Sequence, residues 1–195
     1  MKFAEIKQKL SSKTVGIAGA GGLGSNCAVA LARVGIGKLI IADFDIIVES
    51  NLNRQYFFFD QIGQKKVHAL RDNIRKINPD TIIESHDIRL DPDNIVKIFS
   101  GCDVIVEAFD LAETKEMIIE TVLEKFPGKK LVTGNGLAGW GKNNLIRTEE
   151  NDQLYICGDQ TLEVSDELPP LAPRVGIVAN MQANQVLEIL LGESN

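Results

Sequence analysis

The apolar positions of this chain alternate between two rhythms, short unbroken runs and stripes at helical spacing. Over 2–10, Phe3, Ile6 and Leu10 share one helical face, and Thr14–Ala18 then reads as a short buried strand that feeds a run of glycines. Residues 23–34 return to helical spacing through Ala28, Leu31 and Ala32. Gly35 and Gly37 end that helix ahead of a strand over Lys38–Ala42. Strand, glycine turn, helix and strand make one βαβ unit.

Residues 59–77 carry Val67, Leu70, Ile74 and Ile77 at helical spacing, and Asn78-Pro79 stops the predicted helix before a strand over 81–85. Pro92–Phe99 reads as a short helix, Val104–Glu107 as an apolar strand, 117–126 as a helix and 130–133 as a further strand. Segments 144–148 and 154–157 resemble antiparallel strands, 158–173 a flexible stretch, and 175–191 a closing helix that offers Ile177, Met181, Val186 and Ile189 for burial. The predicted class is α/β: a Rossmann-like, mostly parallel sheet with helices on both faces and a C-terminal antiparallel extension. At 195 residues, with no repeat or linker, the chain is expected to form a single domain over 1–195.

Composition narrows the function. A net charge of -6 argues against a nucleic-acid binder that relies on a broad basic surface. Residues 1–10 lack the apolar core of a signal peptide and no apolar run is long enough to span a bilayer, so a cytoplasmic protein without a membrane partner is expected. The three cysteines, Cys27, Cys102 and Cys157, are widely separated and form no Cys-x-x-Cys pair. Neither a disulfide framework nor a structural zinc site is expected, and the thiols read as buried.

The chemistry begins at Gly19-Ala20-Gly21-Gly22-Leu23-Gly24. Glycines there permit a tight bend and close backbone approach, and the free N–H groups of the next helix attract an anion. Asp43 follows Gly24 at about the 20-residue interval of a ribose-binding acid, with Asp45 beyond it. This portion suits NAD and ATP equally. Downstream, Asn51, Asn53, Arg54 and Gln55 cluster after the acidic strand end, and Lys66 follows near a helix start. Hydride transfer does not need that set, whereas phosphoryl or nucleotidyl chemistry needs charge stabilised as a bond to phosphorus breaks. Lys65 reads as a plain helical lysine. Asp110 lies at the carboxyl end of the 104–107 strand, where it would serve as a Mg²⁺ ligand or as a helix cap.

The ordered set G-A-G-G-L-G, D-F-D, S-N-L-N-R-Q and G-Q-K-K, with the later Asp110, resembles the E1-like adenylyltransferases that activate ubiquitin-like sulfur carriers. The resemblance is to the short thiamine-biosynthesis ThiF branch, with MoeB and HesA proteins as near relatives. It runs from Val15 to about Asp110 and more weakly through Ala172-Pro173-Arg174-Val175-Gly176. It implies ATP- and Mg²⁺-dependent adenylation of the C-terminal glycine carboxylate of a ThiS-like carrier ending in Gly-Gly, by a homodimer. Carried over residue by residue, Gly21 and Gly22 approach the phosphates, Asp43 holds the ribose, and Gly19, Gly24, Asp45 and Gln55 also belong to the nucleotide site. Asn51, Arg54 and Lys66 contact the triphosphate, and Asp110 coordinates Mg²⁺. Arg54, Lys66 and Asp110 would be the catalytic residues.

The chain departs from the family at several points. It lacks paired zinc cysteines, and 164–167 holds no cysteine where relatives place one in a crossover segment. Its N-terminal segment offers Lys2, Lys7, Lys9 and Lys13 but no arginine to reach a partner's site. Cys157 reads as strand-buried beside Tyr155 and Ile156, His68 and His86 as structural, and Trp140 either as a packing anchor or as facing the carrier tail. The competing classes are an NAD-linked oxidoreductase and a non-catalytic nucleotide or carrier binder.

Overall fold

The computed structural model describes residues 1–192. Helix α1 (Phe3–Leu10) precedes β1 (Thr14–Ala18), α2 (Gly22–Val34), β2 (Lys38–Ala42), α3 (Lys66–Ile77), β3 (Ile82–His86), α4 (Pro92–Phe99), β4 (Val104–Glu107) and α5 (Ala112–Lys125). Then come β5 (Lys130–Gly134), β6 (Arg147–Asn151), β7 (Leu154–Gly158) and α6 (Ala172–Leu191). The strands form a 7-stranded sheet in the order β3-β2-β1-β4-β5-β7-β6. Every pairing is parallel except β6 with β7. This is the expected Rossmann-like sheet with its C-terminal antiparallel strand.

Local chemistry explains the boundaries. Gly35 ends α2 in the left-handed region at φ 95, and its N–H returns to the Ala32 and Leu31 carbonyls. Asp91 caps α4 by accepting the Asn94 N–H while Asn94 Oδ1 accepts the Asp91 N–H, with Pro92 in the first turn. Both faces of the sheet are covered. Val15, Ile17, Leu39 and Ile41 bury against helices including α2 and α6, and Ile40, Ile105 and Leu131 against α4 and α5. Each such side chain contributes about 1.5–3 kcal/mol of burial.

Several boundaries differ from the sequence reading, among them the start of α5, at Ala112 instead of 117, and two of them have a cause in the backbone bonds. The helix expected over 59–77 starts only at Lys66; Phe59–Gln61 is a 3₁₀ turn. Gly63 at φ 87 donates to the Ile47 carbonyl, Ile46 bridges to Lys65, and Lys66 N–H donates to the Asp45 carbonyl, so the 45–47 segment captures this stretch before it can coil. The strand expected over 144–148 is likewise displaced, because Asn143–Leu145 forms a 3₁₀ turn and pairing with β7 begins at Arg147.

The strand order reverses between β1 and β4, because β2 flanks β1 on one side and β4 on the other. The loops that leave β1, β2, β4, β5 and β7 all emerge at one edge. That crevice is where open α/β sheets collect ligands.

Candidate functional site

The glycine turn divides into structural and open positions. Gly19 adopts φ 99, and a Cβ there would stand 2.8 Å from the Ala108 carbonyl oxygen. A Cβ on Gly24 would stand 1.9 Å from the Gly19 oxygen. Gly21 is open, since the nearest atom to a Cβ there is Gln55 Nε2 at 3.8 Å. Gly22 lies between Val175 of α6 and the stem of Arg54, whose Cγ is 3.5 Å from the same notional Cβ. The first N–H groups of α2 have no intrahelical acceptors and lie beside this open face.

Asp43 follows β2 and accepts the Ala20 N–H at 2.6 Å on one oxygen and the Asp45 N–H at 2.8 Å on the other. Burial pushes its carboxyl above the usual range, only partly offset by those two N–H groups and by the Lys66 charge. Lys66 is buried, and its Nζ donates to Asp45 Oδ2 at 2.7 Å. Lys65 is the N-cap of α3 and not a helical residue, and its Nζ donates to the Phe44 carbonyl at 2.9 Å and to Asp87 at 3.0 Å.

The segment after β2 is stapled onto α2 by two residues that the sequence reading missed. The Ser25 hydroxyl donates to the Gly21 carbonyl at 2.6 Å and accepts the Tyr56 N–H at 2.9 Å. Asn26 Nδ2 donates to the Arg54 carbonyl at 2.9 Å and the Gly22 carbonyl at 2.7 Å. Their only sequence signal is a polar pair among small apolar helix residues. Arg54 Nη1 donates to the Ser50 carbonyl at 3.1 Å and to Asn53 Oδ1 at 2.7 Å, which leaves the rest of the fork available. Gln55 is 9% exposed, and among the described residues its buried Oε1 has no hydrogen-bond partner. The amide Nε2 of the same side chain is the atom that faces Gly21.

Not every expected residue converges. Asn51 Oδ1 accepts the Val48 N–H at 3.1 Å and so braces its own turn. Asp110 is exposed at the same edge, just before α5. The sequence reading passed over Glu107. Fully buried, it accepts the Phe109 N–H at 2.6 Å, the Thr133 hydroxyl at 2.6 Å and Lys115 Nζ at 2.9 Å, and thereby braces the turn before Asp110.

Of the side residues, Cys27, Cys102 and Cys157 are all buried. His86 pairs with Glu84 at 2.7 Å. Trp140 is 72% exposed, which removes the packing-anchor reading. Lys7 and Lys13 are engaged within the chain by Asp80 and Asp103. Among the described residues no three His, Cys, Asp or Glu side chains gather to hold a metal, and no helix is long and apolar enough to cross a membrane.

The sequence pattern of the ThiF family matches residues 3–195. The chain belongs to the ThiF family. This ThiF-family chain is 35% identical over 189 residues to the SAMP-activating enzyme E1 of Haloferax volcanii, covering 96% of the chain and 65% of that relative. It is 32% identical over 191 residues to the adenylyltransferase and sulfurtransferase MOCS3 of Caenorhabditis briggsae, covering 94% of the chain and 47% of the relative. The chain thus spans about half the length of the MOCS3-type relatives it matches. Its fold matches that of the E. coli tRNA N6-threonylcarbamoyladenosine dehydratase TcdA in complex with AMP, with a TM-score of 0.86 and 22% identity over 96% of this chain and 89% of that one.

Proposed function

We propose that this chain, as one nucleotide-binding unit over 1–195, adenylates the C-terminal glycine carboxylate of a ubiquitin-like sulfur carrier ending in Gly-Gly, at the expense of ATP. The observation that carries the reading is the gathering of two cations at an open glycine turn: the Arg54 stem lies against Gly22, and the buried Lys66 ammonium sits one segment away on Asp45. A nicotinamide site has no use for that pair, whereas a triphosphate does. The names of the SAMP-activating and adenylyltransferase relatives support the same chemistry.

In this reading Gly19 and Gly24 close the tight turn, Gly21 and Gly22 let the phosphates approach the backbone, and Asp43 accepts the ribose hydroxyls. Asp45 orients Lys66, Asn51 holds the turn that carries Arg54, and Gln55 turns its amide Nε2 toward the nucleotide at Gly21. A carboxylate oxygen of the carrier attacks the α-phosphorus, the bond to the bridging oxygen breaks, and pyrophosphate leaves with the electron pair. The products are an acyl-adenylate and pyrophosphate. Arg54 and Lys66 stabilise the charge that moves onto the leaving oxygens. The exposed Asp110 carboxylate fits Mg²⁺, a hard cation that takes few protein ligands and shares substrate phosphates, and the ion would supply further charge neutralisation there.

The pathway we assign is thiamine biosynthesis, as a short ThiF-branch enzyme of the cytoplasm, with MoeB- or HesA-like activation of another carrier as the alternative. An apolar groove between α2 and α6, lined by Ala30, Val34, Ile177, Met181 and Leu187, supports a homodimer. The test is carrier-dependent exchange of labelled pyrophosphate into ATP. Exchange is expected with a Gly-Gly carrier, to be lost in Asp110→Ala and strongly reduced in Arg54→Ala. Tight NAD binding without exchange would establish the oxidoreductase, and carrier binding without exchange the non-catalytic binder; either overturns the reading.

A further inference from the structure

Arg174 and Asp159 form a buried ion pair that the adenylation chemistry does not use, with side chains 2% and 0% exposed. Burial alone would push the Asp159 carboxyl up. The N–H groups of Leu162 and Thr161 and the Arg174 charge outweigh that and hold it below the usual range. Arg174 also donates from Nε to the Gly136 carbonyl at 2.8 Å and from Nη1 to the Gly141 carbonyl at 2.6 Å. One guanidinium therefore ties together the loop after β5, the loop after β7 and the first turn of α6. The two loops are also joined directly, through the Gly139 N–H to the Pro169 carbonyl at 3.0 Å and the Ala138 to Pro170 bridge. Breaking such a pair on one side leaves an uncompensated buried charge, so the clamp is rigid.

The clamp joins the glycine turn to an exposed aromatic. Val175, next to Arg174, packs on Gly22, and the Pro170 carbonyl accepts Asn53 Nδ2 at 3.4 Å, beside Arg54. At the other end the clamped loop carries Trp140, 72% exposed between Gly139 and Gly141, both at φ 69. A tryptophan held in water on an immobilised backbone loses little further entropy on contact, as interface anchors do. The residues assigned to the nucleotide come chiefly from the ends of β1 and β2 and the segment after β2. The ends of β4, β5 and β7 are left on the opposite side of the switch point for the second substrate.

We infer that Trp140 is a docking residue for the extended C-terminal tail of the carrier, and that Arg174 is a positioning residue that fixes Trp140 relative to the glycine turn. The inference rests on the carrier-adenylating reading above. Trp140 is the chain's sole tryptophan, so its emission reports the contact directly. Titrating the full chain with a ubiquitin-like sulfur carrier ending in Gly-Gly is expected to shift that emission to the blue and protect it from acrylamide. The same carrier lacking its Gly-Gly tail gives neither change.

Trp140→Ala is expected to raise the carrier KM in pyrophosphate exchange by about tenfold or more, with ATP affinity and kcat at saturating carrier retained, and Trp140→Phe to recover most of the loss. Arg174→Lys is expected to give the same split. If Arg174→Lys fails to fold, the exposed Trp140 variants decide alone. Unchanged quenching with intact carrier, or a wild-type carrier KM in Trp140→Ala, overturns the inference. Loss of the adenylation reading shows separately, as quench protection without any exchange.

Discussion

Lys66 Nζ lies 2.7 Å from Asp45 Oδ2, with the lysine side chain 7% exposed and the aspartate 48%. The ammonium is thus the desolvated member of the pair, while its partner keeps much of its hydration. Removing the lysine strands no buried charge, because Asp45 returns to water. Lys66→Met is therefore expected to leave thermal stability unchanged or slightly raised, while pyrophosphate exchange falls about 10²–10³-fold, the scale of losing one charge-stabilising donor. Lys65→Ala is the control: its pair with Asp87 is half-exposed and contributes at most about 1 kcal/mol, so exchange should stay near wild type. Equal losses in the two variants would contradict the assignment of Lys66.

Asp43 should impose a pH limit on nucleotide binding. Only the ionised carboxylate accepts two ribose hydroxyls without donating, and burial raises its pKa. ATP affinity is expected to begin falling, as the solution is acidified, at a higher pH than an ordinary aspartate would cause. The sign for folding is opposite: with the folded pKa above the unfolded one, this group's contribution is fully present below the unfolded value and is lost as pH rises through the folded one. Calorimetric titration with ATP from neutral to acid pH, on wild type and Asp43→Asn, checks the binding limit, and thermal melts over the same range check the folding term. Wild-type ATP affinity in Asp43→Asn would remove the ribose role.

Two glycines of one turn should respond in opposite ways. Gly24→Ala drives a methyl into the Gly19 carbonyl at 1.9 Å, and it is expected to cost at least the ~1–3 kcal/mol of an overpacked site, read as a lowered Tm. Gly21→Ala meets nothing closer than 3.8 Å, so the fold should hold while the methyl obstructs the phosphates and weakens ATP binding. A destabilised Gly21→Ala, or one that binds ATP normally, would move the phosphate site elsewhere.

The thiols should be silent in the native protein. Burial pushes Cys102 up to about 12 and raises Cys27 and Cys157 as well, so little thiolate exists at neutral pH. Iodoacetamide is expected to modify none of the three until denaturant is added, and Cys157→Ser to retain exchange. Rapid labelling of native Cys157 would reopen a covalent sulfur step on this chain.

The strands and the glycine turn were legible because they are written in consecutive residues: an apolar run, a set of glycines, an acid at the next strand end. Asp43 is legible for the same reason, as the acid directly after a strand, whereas Lys66 is brought to Asp45 by the backbone bonds of the 45–47 segment and not by strand register. The stretch 59–65 misled because its apolar residues mimic a helical stripe, whereas backbone bonds to Asp45 and Ile47 decide its shape. Ser25 with Tyr56, Glu107 with Thr133 and Arg174 with Asp159 were invisible for a related reason. Each joins one side chain to a distant segment, and such pairs leave no period in the sequence.

Gly22 packs against Val175, and Gln182 on the same helix donates to the Glu107 and Val132 carbonyls at 2.9 and 3.4 Å. The glycine turn leaves the ribosome well before the helix that backs it. During synthesis the glycines, Asp43 and Lys66 are all present long before α6 emerges, yet the turn lacks its supporting wall until then. On the proposed reading, nucleotide capture is tied to the synthesis of α6, and a product truncated before that helix is expected not to bind ATP.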